Sequence, residues 1–241
     1  MSHSIIWLHD TVQGLRTQKL RGHYCMVVNP NADDFAQHVA DFVRYEHAHG
    51  RKVRFRPRRF NPSKILQSTP ETSNAIRPTD PRFIIHSTTL AAYEKILHDG
   101  CLKSTTQLRK NDASQHAIGF LPLGEPPDYL DYIMFAPLND DGSGPEIVVN
   151  SHLRGEVCFD PHVSYSPQAR MYFDAHKIIV DGLAVRDGTH VLKVYNTLPL
   201  ENYWVTTVFA HDISLPPNAE HWTPALFGAA ANAFFLEKFK T

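Results

Sequence analysis

The chain has 241 residues, 42% of them hydrophobic and 20% charged, with a net charge of −1 when histidine is neutral. That is enough apolar material for a core and too little charge for a disordered chain. Its longest apolar runs are about five to seven residues, against about 20 for a membrane helix, so a helical membrane protein is excluded.

The first 60 residues read as a β-α-β unit. "HYCMVVNP" is a short apolar strand closed by Asn-Pro. "NADDFAQHVADFVRYEHAHG" places Phe35, Val39, Phe42 and Val43 at helical spacing, with Asn and Asp as N-cap candidates and Gly50 as the stop. "KVRFRP" alternates Val53 and Phe55 with arginines, the pattern of a half-exposed strand. Residues 51–59, "RKVRFRPRR", hold six positive charges and no negative one, which leaves the rest of the chain acidic. A local basic stripe suits a polyanion, with Arg54, Arg56, Arg58 and Arg82 as candidates. A charged edge strand guarded against association has the same pattern.

Residues 61–81 are rich in Pro, Ser, Thr and Asn and read as a linker or a long wrapping loop, which sets a boundary between residues 1–60 and 82–241. "FIIH" is then a buried strand, and a helix of about ten residues follows it, carrying Leu90, Tyr93, Ile96 and Leu97 on one face and closing at Gly100. "PLGEPPDY" and "NDDGSGPE" are turn clusters. "YLDYIMFAPL", "EIVVN" and "GEVCF" are strand candidates around them. "SPQARMYFDAHKII" reads as a helix with Ser166 at the N-cap and Pro167 at the first position. "THVLKVYN" and "YWVTTVFA" are β-patterned, and "TPALFGAAANAFFLEKF" is a terminal helix, apolar nearly all round.

Cys25, Cys101 and Cys158 are widely spaced and form no CxxC pair, so neither a disulfide framework nor a zinc ribbon is expected. The start, "MSHSIIWLHD", has neither a basic leader nor an apolar stretch, and a reducing cytoplasmic setting is expected. His86, at the mouth of "FIIH" and followed by Ser87 and Thr88, has three readings. It is a core histidine satisfied by backbone, a metal ligand, or a hold on a polar ligand at a strand end. No HExxH helix or cysteine ligand pair accompanies it, so no metal is expected.

The order strand, His-Ser-Thr, helix, Ile96, Gly100, Leu102 resembles the first motif of the ADP-ribosyltransferase superfamily, an H-x-T or H-x-S followed by I…G-L. "GEVCFDPHVSYSPQARMYF" is similar to the second motif, with Ser166, Ala169 and Tyr172 in place and Cys158 where an aromatic is frequent. "HVLKV" and "YWVTT" resemble late strands of the RNA 2′-phosphotransferases, a branch of that superfamily, and "GEPPDYLDYIMFAP" has the flavour of its DNA-modifying toxins. The likeness covers about residues 82–217; residues 1–80 match nothing in it.

The resemblance implies an α+β fold with two small, mostly antiparallel sheets around an NAD-binding cleft, beside the N-terminal β-α-β extension. It implies a transferase that cleaves the nicotinamide–ribose bond of NAD and passes ADP-ribose to a nucleic-acid or protein acceptor. In that family His86 grips a ribose hydroxyl, while the main chain at Ser87 and the hydroxyl of Thr88 hold the carboxamide. Ser166 belongs to the same cofactor-binding set. Tyr172 stacks on the nicotinamide with Tyr165 behind it, a cation–π contact of about 0.5–2 kcal/mol; alternatively Tyr172 and Phe173 are simply the buried face of their helix. Glu201 is the nearest carboxylate for the catalytic acidic position. The RNA 2′-phosphotransferases lack that carboxylate and use arginine and histidine on a phosphate. That activity, and an inactive nucleotide- or protein-binding module, are the alternatives.

Overall fold

A computed structural model describes residues 3–10, 15–20, 23–57, 60–72, 74–111, 125–139, 148–150, 156–158, 169–190, 192–213 and 224–239. The N-terminal sheet contains β1 (His3–Leu8), β2 (Leu15–Leu20), β3 (His23–Val28) and β4 (Lys52–Arg56) in the order β2-β3-β1-β4. β1 is parallel to β3 and β4, and β2 is antiparallel to β3. Parallel strands need a crossover, and α1 (Phe35–Ala48) supplies it between β3 and β4. It buries Phe35, Val39, Phe42 and Val43 against Ile6, Met26 and Phe55, as the helical spacing predicts. The predicted β-α-β unit is therefore present, with two further strands that its reading omits.

The segment 61–81 is a strap. α2 (Pro62–Ser68) lies inside it, its Asn61 cap accepting from the Ser63 main-chain N at 2.9 Å. Arg186 then donates to the carbonyls of Thr72 (2.6 Å) and Ala75 (3.0 Å) and to Asp80 (2.6 Å). Arg77 reaches back to Asp41 on α1. Pro- and Ser-rich composition marks the absence of periodicity, not the absence of attachment.

The rest of the chain runs β5 (Phe83–Thr88), α3 (Leu90–Asp99), β6 (Cys101–Lys103), α4 (Thr105–Asn111), β7 (Tyr132–Leu138), β8 (Val148–Asn150) and β9 (Glu156–Cys158). It continues with β10 (Ala169–Asp174), α5 (Ala175–Val180), β11 (Ala184–Val185), β12 (Leu192–Tyr195), β13 (Thr197–Pro199), β14 (Trp204–Phe209) and α6 (Pro224–Phe239). Six strands form one antiparallel sheet in the order β11-β12-β7-β5-β10-β14, and β6/β13 and β8/β9 are two-stranded ribbons. The fold class is α+β with antiparallel sheets, as expected, though one six-stranded sheet stands where two small ones are predicted.

The predicted helix in "SPQARMYFDAHKII" is corrected: within the described residues, 169–174 is a strand and only 175–180 is helical. All six residues of β10 are buried between β5 and β14. A strand covered on both faces loses its period of two and reads as a featureless apolar run. Asp174 caps α5 by accepting from Lys177 N at 3.0 Å.

One face of the sheet packs α3 through Tyr93, with Ile84, Phe135, Met171 and Phe173. The other packs α6, whose Phe227, Ala231 and Phe235 meet Ile85, Tyr172 and Val208. The N-terminal core continues into Tyr129, Tyr132 and Met134, so both halves share apolar packing. Charge is buried along with it. The Lys193 Nζ lies 2.8 Å from Asp187 and 3.5, 3.7 and 4.5 Å from the ring centres of Tyr45, Tyr129 and Tyr132. Beside it Arg51 joins Glu46 (2.8 Å) to Asp128 (2.6 Å), and Tyr45 donates to Asp128 at 2.6 Å. No helix among the described residues is long and apolar enough to cross a membrane.

Candidate functional site

β5 is held differently on its two sides. Its pairing with β10 runs the whole length, from Asp174–Phe83 to Thr88–Ala169. Its pairing with β7 stops at Ile85–Ala136. Beyond that point β7 pairs with β12 instead, from Phe135–Leu192 to Tyr132–Tyr195. β7 therefore divides its hydrogen bonding between two neighbours, and His86, Ser87 and Thr88 are laddered on one side only.

Side chains alternate across a strand, and register assigns the faces. Ile84, His86 and Thr88 pair with Phe173, Met171 and Ala169 and share the α3 face. β14 extends those rows, with Thr207 opposite Met171 and Phe209 opposite Ala169. His86 is half-buried and its ring meets Phe135 edge-on at 6.3 Å. Burial pushes its pKa down to about 4, so the ring is neutral at neutral pH. Neutral imidazole carries one donor and one acceptor nitrogen, and among the described residues neither has a hydrogen-bond partner. Thr89 Oγ1 caps α3 by accepting from Ala92 N at 3.2 Å, and Gly100 ends it at φ 65°, the close that the sequence predicts.

The pKa has a testable consequence. As pH falls through 6.5 the unfolded chain takes a proton that folded His86 refuses until about pH 4, so stability declines across that window. His86→Asn is expected to remove that portion of the decline, read as the difference between urea midpoints of the two proteins at pH 7 and pH 4.5. Equal acid sensitivity in both would show that the ring is already charged in the fold.

Other candidates lie elsewhere. Tyr172 faces the opposite side of the sheet from His86, because it pairs with Ile85. It is fully buried, its ring stacks on Phe235 at 4.0 Å, and its hydroxyl donates to Asn232 at 2.9 Å. Its reading as a nicotinamide platform is corrected, because α6 already covers the ring; the helix-face alternative is corrected too, since Tyr172 and Phe173 are buried on opposite faces of a strand. The Ser87 hydroxyl also points to that side and accepts from Arg170 at 3.0 Å. Glu201 is exposed in the turn before β14. That turn lies at the end of the sheet where β5 begins, since Trp204 pairs with Phe173 whereas Thr207 is the residue in His86's row. Glu201 is therefore not brought to His86, and its catalytic reading is corrected.

Arg82 pairs with Asp174 at 2.9 Å and anchors the start of β5, which belongs to a different sheet from β4. Arg54 and Arg56 are exposed on β4. Arg58, Tyr165 and Ser166 lie outside the described residues. Thr207 and Phe209 are the residues that the sequence reading missed, and recognising β10 as a strand would have supplied their register. Among the described residues no group of three or more His, Cys, Asp or Glu side chains could hold a metal ion. No protein-family model, curated protein or solved structure matches the chain.

Proposed function

We propose that the chain binds NAD where β5 and β7 part, and acts as an ADP-ribosyltransferase. The observation that carries this reading is the one-sided pairing of His86, Ser87 and Thr88, with the side chains of His86 and Thr88 on one face beside a capped helix. The side of β5 that β7 leaves unpaired is where the carboxamide would lie, and the Thr88 side chain is on the same face as the imidazole. Neutral His86 offers a donor and an acceptor to the ribose diol. Held this way, the nicotinamide–ribose bond is oriented before it breaks, and orientation can supply much of the rate.

The position of Glu201 favours a second reading, the RNA 2′-phosphotransferase, which by resemblance needs no carboxylate. Labelled NAD separates the two. Nicotinamide release without RNA supports ADP-ribosyl transfer, and release only with 2′-phosphorylated RNA supports the phosphotransferase. Saturable NAD binding with no release under either condition leaves a binding module.

His86→Ala is expected to weaken NAD binding at least about tenfold, the loss of one good hydrogen bond to an oriented ligand. Calorimetric titration measures it, with a thermal melt to show that the variant folds. Unchanged affinity in a folded variant sinks the assignment.

A further inference from the structure

β4 is the last strand of the N-terminal sheet: β1 pairs with one of its edges, and no described strand pairs with the other. Its side chains alternate, with Val53 and Phe55 buried and Lys52, Arg54 and Arg56 exposed. The basic stripe therefore divides. Arg51 turns inward to Glu46 and Asp128, while Lys52, Arg54 and Arg56 make no ion pair among the described residues. A groove of about 450 Å³ runs beside this edge, lined by Val53, Arg54, Phe55, Phe60, Asn61 and Pro62. Phe60 touches Phe35 and Phe55 at 5.4 and 5.7 Å, yet remains 41% exposed.

Charge alone on an edge strand guards against association. A guarded edge has no use for a phenyl ring left open beside it. We propose that the outer edge of β4 docks an extended peptide segment alternating acidic and apolar residues, added as a fifth strand. Same-face residues along a strand are about 6.6–6.8 Å apart, and directly opposed Cβ atoms about 4.5–5.5 Å. Carboxylates at every second position of an added strand meet Lys52, Arg54 and Arg56, and the intervening apolar side chains fall on the Phe55 and Phe60 side. Main-chain N–H and C=O of the added strand satisfy the open edge, which a sugar-phosphate backbone cannot do.

Fluorescence anisotropy with a labelled peptide of about eight residues, alternating glutamate and valine, tests this. Saturable binding that weakens with salt is expected. The double variant Arg54→Glu, Arg56→Glu is expected to lose at least about tenfold in affinity, and Phe60→Ser about fivefold. N-methylation of alternate peptide amides is expected to abolish binding, because it removes the edge hydrogen bonds. All three side chains are exposed, and circular dichroism melts confirm that the variants fold. The proposal is overturned by any of four results: no binding of the peptide, equal binding by the charge-reversed variant, equal binding of the methylated peptide, or tighter binding of oligothymidylate at the same residues.

Discussion

Lys193→Ala is expected to cost about 3–5 kcal/mol, the penalty for leaving a buried charge without its counter-ion. The ammonium is fully enclosed, with Asp187 at 2.8 Å and Tyr45, Tyr129 and Tyr132 around it. Burial works against the charged lysine and pulls its pKa down, while Asp187 pulls it back up. Asp187, also fully buried, is held well below the usual carboxylate range by Lys193 and His190, against its own desolvation. It accepts further hydrogen bonds from the main-chain N of Thr189 (2.9 Å) and His190 (2.7 Å). Removing the lysine leaves that carboxylate ionised and short of its strongest partner.

The double variant Asp187→Asn, Lys193→Met is expected to recover much of the loss, since an uncharged pair of similar shape removes both charge-desolvation penalties while the amide oxygen still accepts from the Thr189 and His190 main chain. Urea denaturation of the single and double variants measures both effects, and an equal loss in the two would show that shape rather than charge governs the site. The pH dependence has a fixed sign. A carboxylate depressed in the fold stabilises above its unfolded pKa, and that stability is lost as pH falls through the ordinary carboxylate range toward the lower folded value. Lys193→Ala raises the folded pKa of Asp187, so the variant is expected to lose less on acidification than the parent.

This cluster was not legible in the sequence, for a physical reason. A lysine within "THVLKVYN" occupies a position that strand alternation assigns to solvent, and the arrival of Tyr45 from α1 together with Tyr129 and Tyr132 buries it. Tertiary context also made β10 unreadable: a strand covered on both faces shows no alternation. By contrast α1, β4, β5 and α3 were legible because each carries its own signal, helical spacing in α1, alternation in β4, a short apolar run in β5 and a closing glycine in α3. The candidate site divides along the same line. His86 and Thr88 follow from local order, since they lie two apart on one strand. Tyr172 and Glu201 depended on which face and which end of a neighbouring strand they occupied, and register supplies that information while spacing along the chain does not.

Gly188→Ala is expected to be the most damaging glycine-to-alanine change among Gly50, Gly100, Gly182 and Gly188, because Gly188 is where the loop before β12 touches α1. Its φ is +73°, and an added Cβ would land on the His38 carbonyl oxygen and within 2.7 Å of the Phe42 main-chain N. Both atoms belong to helix backbone, which cannot rotate aside as a side chain can. The contact is also bonded, the Gly188 carbonyl lying 3.1 Å from His38 Nδ1. Left-handed strain accounts for about 1–3 kcal/mol, and forcing a close-packed contact apart for about 1–3 kcal/mol more. Gly50→Ala separates the two contributions: its φ is +71° and its Cβ would meet nothing within 4 Å, so it reports the backbone cost alone. Paired urea midpoints for the two variants measure the difference, which belongs to the seam between the N-terminal sheet and the six-stranded sheet. Equal losses would mean that the loop moves off α1 freely, and the two halves would then be coupled through the Lys193 cluster and the strap rather than through this approach of backbone to backbone.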